Sequence, residues 1–184
     1  RINAVSPTYA KEILTPEHGA GLHGLLSARG GSLSGILNGV DYDEWDPAKD
    51  VTLAQNYTME TLPDRQDNKY ALQQEVGLRI GQGPLLGVVS RLDHQKGLDL
   101  LVQALPAVLR RNEMALVLVG IGDGSIRKEL QKLAVEFPDR VSLSFRFDER
   151  LARRIYAGAD MLLVPSRYEP CGLVQMIALR YGAV

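Results

Sequence analysis

From residue 85 onward the chain alternates between two spacings of apolar residues. Leu85-Leu86-Gly87-Val88-Val89, Ala115-Leu116-Val117-Leu118-Val119 and Met161-Leu162-Leu163-Val164 are short unbroken runs, as strands buried on both faces require. Between them apolar positions recur at helical spacing, as at Leu98, Leu101, Val102, Leu105, Val108 and Leu109. The pattern predicts strands over 85–89, 115–119, 141–145 and 161–164, and helices over 97–111, 125–136, 150–157 and 172–181. Such alternation argues for an α/β fold, a parallel sheet with helices on both faces. Pro106 removes one N–H from its helix and predicts a kink there. The last helix is apolar on most sides and is expected to be buried.

The first eighty residues are less regular. Ala4-Val5 reads as a strand end, followed by a helix over 7–14 with Ser6 as N-cap and Pro7 at the first helical position. Gly19, Gly21 and Gly24 loosen the chain before the apolar piece Leu25-Leu26. Ser34-Gly35-Ile36-Leu37 predicts a strand ending in the turn dipeptide Asn38-Gly39. The acidic stretch 41–50 contains Pro47 and predicts an exposed linker, with Trp45 anchoring it to a domain surface. A helical patch over 68–75 and the break Gly81-Gln82-Gly83-Pro84 lead into the alternating part. The expected organisation is therefore the tail of one domain (1–41), a crossover and linker helix (42–81), and most of a second domain (82–184). Starting without methionine and stopping where another strand is due, the chain reads as a piece of a longer protein.

Two strand-loop-helix units carry candidate chemistry. Val89-Ser90-Arg91-Leu92-Asp93-His94-Gln95-Lys96-Gly97-Leu98 places Arg91 and Lys96 in one loop; Val164-Pro165-Ser166-Arg167-Tyr168-Glu169-Pro170-Cys171-Gly172-Leu173 places Glu169 in the other. In a parallel sheet both loops leave the carboxyl ends of strands, where ligands bind. A helix opening at Cys171-Gly172 turns free backbone N–H groups toward an anion. Two fixed cations could clamp a diphosphate, Glu169 could hold hydroxyls, and Gly172 would let a ligand approach the backbone. Phosphate together with hydroxyls points to a sugar nucleotide.

Each of these residues also has a plainer reading. Arg91 and Lys96 could be two solvated charges, although cations at a helix N-terminus oppose the macrodipole and so favour a bound anion. Glu169 is favoured by the same dipole and needs no function. Cys171 could be a thiolate nucleophile, but none of His18, His23 or His94 is tied to it as a base. In Gly120-Ile121-Gly122-Asp123-Gly124 the third glycine falls one residue early for a dinucleotide fingerprint. The strand over 141–145 does not end in an acidic residue, so a tight glycine turn is the better reading.

Composition removes several classes of function. With 184 residues and 45% hydrophobic content the chain can bury a real core. Its 21 basic and 22 acidic residues are interspersed at a net charge of −1, which gives no broad positive field for nucleic acid. One cysteine excludes an internal disulfide and suits a reducing compartment. No run is long enough to span a membrane, and the three histidines have no metal-ligand spacing with Cys171.

In order along the chain, several segments together resemble the bacterial glycogen synthase and starch synthase family of retaining glucosyltransferases. They are Val5-Ser6-Pro7-Thr8-Tyr9-Ala10, Gly35-Ile36-Leu37-Asn38-Gly39-Val40-Asp41 with Trp45, Ser90-Arg91-Leu92 with Gln95-Lys96-Gly97-Leu98, Ala157-Gly158-Ala159-Asp160, and Glu169-Pro170-Cys171-Gly172-Leu173 with Arg180-Tyr181-Gly182. The resemblance implies a GT-B fold of two facing Rossmann-like domains, the second incomplete here. It implies ADP-glucose as donor, the non-reducing end of an α-1,4-glucan as acceptor, no cofactor and no metal. No nucleic-acid or membrane partner is implied, and the location is the cytoplasm, or the plastid stroma in a plant or alga. By the same resemblance Arg91 and Lys96 bind the donor diphosphate and Glu169 contacts the glucose. The amides of Cys171, Gly172 and Leu173 reach sugar and phosphate, Asn38 faces the cleft, and Phe147 stands where relatives place an aromatic ring against adenine. The Arg146-Phe147-Asp148 context departs from the usual Gly-Tyr, and Ile177 occupies the position where many related transferases carry a second Glu. The isolated chain is expected to be inactive. The alternative is a non-catalytic module that binds a nucleotide sugar or glucan, and a dinucleotide-dependent oxidoreductase is a third class.

Overall fold

The computed structural model describes residues 1–184, whose contacts divide into two units. The first comprises 1–40 and 168–173; the second comprises 41–167 and 174–184.

In the first unit, β1 (Ile2–Ala4) and β2 (Leu33–Gly35) pair in parallel, Ile2 opposite Leu33 and Ala4 opposite Gly35. Helix α1 (Pro7–Glu12) starts as its sequence demands: the Ser6 hydroxyl accepts from the Tyr9 N–H at 3.0 Å and Pro7 occupies the first turn. The Leu25-Leu26 piece is part of a short helix, α2 (His23–Ala28), which buries none of its residues.

The second unit is built on four parallel strands, β3 (Leu85–Val89), β4 (Ala115–Val119), β5 (Val141–Ser144) and β6 (Met161–Leu162), in the order β5-β4-β3-β6. The connecting helices are α3 (Arg65–Glu75), α4 (Leu98–Arg111), α5 (Gly124–Glu136), α6 (Glu149–Gly158) and α7 (Leu173–Arg180). The continuous apolar strands are explained by alternation. Leu86, Val88, Leu116 and Leu118 pack under Leu98, Leu105 and Leu109 of α4 and Leu130 of α5, whereas Leu85, Val117 and Val119 pack under Leu72 of α3 and Ile155 of α6. Each fully buried leucine contributes about 1.5–3 kcal/mol, so both faces are needed. Asp160 joins the layers: its carboxylate accepts from the Leu85 N–H and pairs with buried Lys69, each at 2.7 Å.

Some expectations change. Strand β6 ends two residues early, because the chain turns away at Pro165, which has no N–H to give a ladder. Helix α4 runs unbroken through Pro106. Helix α7 buries only Ile177 and Ala178 and leaves Leu179 exposed, so it is a surface helix with one buried stripe. The 41–50 stretch is not an exposed linker throughout. Asp50 is buried and accepts a hydrogen bond from the Tyr181 hydroxyl at 2.7 Å, and Trp45 packs edge-on against Tyr156 and Tyr181. No helix is long and apolar enough to cross a membrane.

Candidate functional site

The strand order locates the site. The chain runs outward from β3 through β4 to β5, then returns to lay β6 on the other side of β3. The order reverses at β3, so the loops at the carboxyl end of that strand are where a ligand site is expected.

The loop after β3 is shaped by its own residues. Asp93 accepts from the Lys96 N–H at 2.9 Å and caps the single turn His94–Lys96. Gly97 then adopts φ 65°, and the Pro165 carbonyl occupies the space a Cβ would need, so glycine is required on both counts. Arg91 projects from this loop, largely exposed, and pairs with Asp93 at 3.0 Å. Lys96 lies in the same single turn.

The connection after β6 docks onto this loop through a residue that the sequence pattern does not mark. The Arg167 N–H donates to the Gln95 carbonyl at 2.8 Å. Its guanidinium forks onto the Asp99 carboxylate at 2.8 and 2.7 Å and donates to the His94 carbonyl at 2.6 Å. These hydrogen bonds hold the Asp99 carboxyl down at about 2. An acidic residue in the first turn of α4 was a visible hint; its partner 68 residues away was not.

The glycine run after β4 packs on the same loop. Gly120 abuts the Ser90 carbonyl, and the Asp123 N–H donates to the Leu92 carbonyl at 2.7 Å. Its glycines thus permit close approach of two loops, as a tight turn would. Asp123 also caps α5 by accepting from Ser125 and Ile126.

At the carboxyl ends of β3, β4 and β5 lies a cavity of about 470 Å³, lined among others by Trp45, Ser90, Arg91, Gly120, Ile121 and Phe147. Phe147 is 84% exposed, a large ring held open at the rim. Behind it Asp148 caps α6, and its hydrogen bond from the Leu151 N–H lowers its pKa. The apolar part of the wall is joined by two cations, Arg91 and Arg146, and by three carboxylates that already have partners, Asp148 on Arg146 and Glu44 and Glu149 on Arg153; such a lining can take a flat ring beside an anionic tail. Arg91 and Phe147 thus share one cavity.

Asn38, Glu169, Cys171, Gly172 and Leu173 belong by their contacts to the first unit. The Asn38 side of that unit is exposed, and the Asn38 N–H donates to the Val5 carbonyl. Tyr168, beside Glu169, has its ring 4.9 Å from that of His18. Gly172 takes φ 86°, a left-handed turn that directs the chain into α7 at Leu173. Cys171 is half-buried.

Comparison with known proteins adds relatives to this geometry. Residues 83–184 match the family model "Glycosyl transferases group 1", and residues 1–28 match "Starch synthase catalytic domain". The chain is 51% identical over 183 residues to glycogen synthase 2 of Agrobacterium fabrum, covering all of this chain and 36% of that protein. It is 52% identical over 184 residues to glycogen synthase of Geotalea daltonii, covering all of this chain and 38% of that protein. The chain therefore spans little more than a third of the length of these curated relatives. Its fold matches the catalytic domain of starch synthase IV from Arabidopsis thaliana, a structure bound to ADP and acarbose. The TM-score is 0.91 and the identity 40%, over 99% of this chain and 38% of that one.

Proposed function

This chain belongs to the group 1 glycosyl transferases, and on that premise we propose that its parent protein transfers glucose from ADP-glucose to the non-reducing end of an α-1,4-glucan, with retention at the anomeric carbon. The observation that carries the reading is the cavity that joins Arg91 to the open ring of Phe147 at the carboxyl ends of the strands. A base on Phe147 would leave a diphosphate within reach of Arg91, and Lys96 follows in the same short loop. The likeness to a starch synthase domain with bound ADP and acarbose supports both the nucleotide and the glucan.

In the mechanism we propose, negative charge grows on the departing diphosphate as the glycosidic bond to glucose breaks. Arg91 and Lys96 stabilise that charge, and the N–H groups at Cys171, Gly172 and Leu173 supply further donors to sugar and phosphate. Glu169 orients the glucose and favours the positive charge developing at its ring, and Asn38 faces the cleft. The glucan 4-hydroxyl attacks on the face the diphosphate departs from and passes its proton to that departing phosphate, so one bond to the anomeric carbon breaks as the other forms and configuration is retained. No step of this scheme calls on a metal or cofactor. With a single cysteine and donor chemistry of this kind, the cytoplasm is the proposed place of action.

The test is incorporation of labelled glucose into glycogen by the full-length protein, with ADP-glucose and UDP-glucose compared. Efficient transfer from ADP-glucose supports the reading; binding of ADP by the full-length protein with no transfer from either donor would leave a nucleotide-sugar binding module in its place. For the 184 residues alone we propose binding without transfer, since they span little over a third of their relatives' length.

A further inference from the structure

We propose that the crossover segment supplies a wall of the nucleotide cavity, with Trp45 as a contact residue for the donor's base and Arg153 as the positioning residue that holds Trp45 in place. The proposal rests on the nucleotide reading above and assigns a role to a segment that reads from sequence as a linker.

Glu44 and Trp45 of the crossover line the cavity together with Glu149 and Ala152 of α6. Arg153 stands behind them, its side chain only 11% exposed. Its guanidinium lies 4.1 Å from the centre of a Trp45 ring, a cation on an aromatic face. The same group reaches Glu44 at the carbonyl (3.1 Å) and at the carboxylate (2.8 Å), and reaches Glu149 at 3.1 and 3.0 Å. One planar fork thus ties two cavity-lining residues from separate elements to each other and presses on a third. Edge contacts from Tyr156 and Tyr181, at 5.9 and 6.4 Å, limit rotation of the indole further. A ring fixed on so many sides loses little freedom when a flat heterocycle settles against it. Arg91 and Arg146 line the same cavity, and its three carboxylates are taken up by Arg146 and Arg153, so the ligand class is a nucleoside diphosphate, base toward the aromatic rings and phosphates toward Arg91.

Trp45 is the chain's only tryptophan, so its emission reports on this wall alone. The 184-residue chain is titrated with ADP, following tryptophan emission and, in parallel, heat by calorimetry. The expected result is a change in emission that saturates along the calorimetric binding curve. Arg153→Met, which substitutes none of the cavity-lining residues but frees them from one another, is expected to weaken ADP binding roughly tenfold, and Arg153→Lys to recover part of that loss. Calorimetric binding with silent tryptophan emission would overturn the wall while leaving the nucleotide reading intact. No calorimetric binding of ADP would overturn both. A folded Arg153→Met protein, checked by circular dichroism, that binds ADP as tightly as wild type would reduce Arg153 to a purely structural role. Should that variant not fold, the wild-type emission experiment decides.

Discussion

The loop of residues 90–97 and the crossover of residues 41–57 are both polar, yet they are held by opposite means. In the loop the partners are exposed: Arg91 on Asp93, and the fork of Arg167 on Asp99. In the crossover the partners are buried. Asp50 accepts from Tyr181 and Thr52 and faces Arg153 at 3.5 Å, while the Tyr57 hydroxyl donates to the Tyr181 carbonyl at 2.7 Å. Burial pushes the Asp50 pKa up, but the hydrogen bonds from Tyr181 and Thr52, with the charge of Arg153, bring it below the ordinary carboxylate value. Exposed charges stay available to a ligand and contribute little to stability; a buried pair is closed to a ligand, and removing one partner leaves the other uncompensated. The two regions should therefore fail in different experiments.

The largest effect is expected in the crossover. Asp50→Ala strips buried Arg153 and Tyr181 of a shared partner and should cost about 3–5 kcal/mol of stability, read as a lowered urea midpoint. A midpoint within error of wild type would erase the contrast. Arg91→Ala should do the reverse in the full-length protein, reducing turnover on the order of a hundredfold with the melting temperature unchanged. Turnover near wild type would remove Arg91 from the diphosphate site.

Smaller effects separate the regions by pH. The Tyr57 and Tyr156 phenols are both pushed up to about 12, first of all by burial. Their folded values exceed the unfolded value of 10.0, so the stability they lend is complete below that pH and is lost as pH rises through about 12. Alkaline titration followed by Trp45 emission should show the crossover loosening in that window. Asp99 titrates the other way. Its folded value of about 2 lies under the unfolded 3.8, so its contribution is present above 3.8 and disappears as pH falls through about 2. Being an exposed pair, it should give the smallest change of the series, seen as an acid shift in the Asp99 side-chain resonance that Arg167→Gln abolishes.

How far these features were legible in the sequence follows the range of the interactions. The alternation of 85–162 could be read because each strand and helix announces itself within its own few residues. Arg91 and Lys96 could be singled out because a local rule, cation against helix dipole, is broken there. Asp50 could not be read as buried: an acid in an acidic stretch reads as solvated until Tyr181, 131 residues later, is brought against it. Arg167 was passed over for the same reason, since what it grips is set by the return of β6 to the side of β3. Glu169 is legible from the strand-to-helix turn it sits in and Asn38 only from its motif; the contacts of both group them with the first unit.

The placement of β6 beside β3 also bears on the order of synthesis. The loop that ends at Gly97 leaves the ribosome well before the residues that brace it, because Arg167 follows Asp99 by 68 positions. At ordinary translation speeds that interval is roughly 3–14 s, far longer than a loop needs to sample its conformations. The nascent chain must finish β4, β5, β6 and the helices between them before the brace arrives, so the loop of residues 90–97 is among the last parts of the unit to acquire its shape.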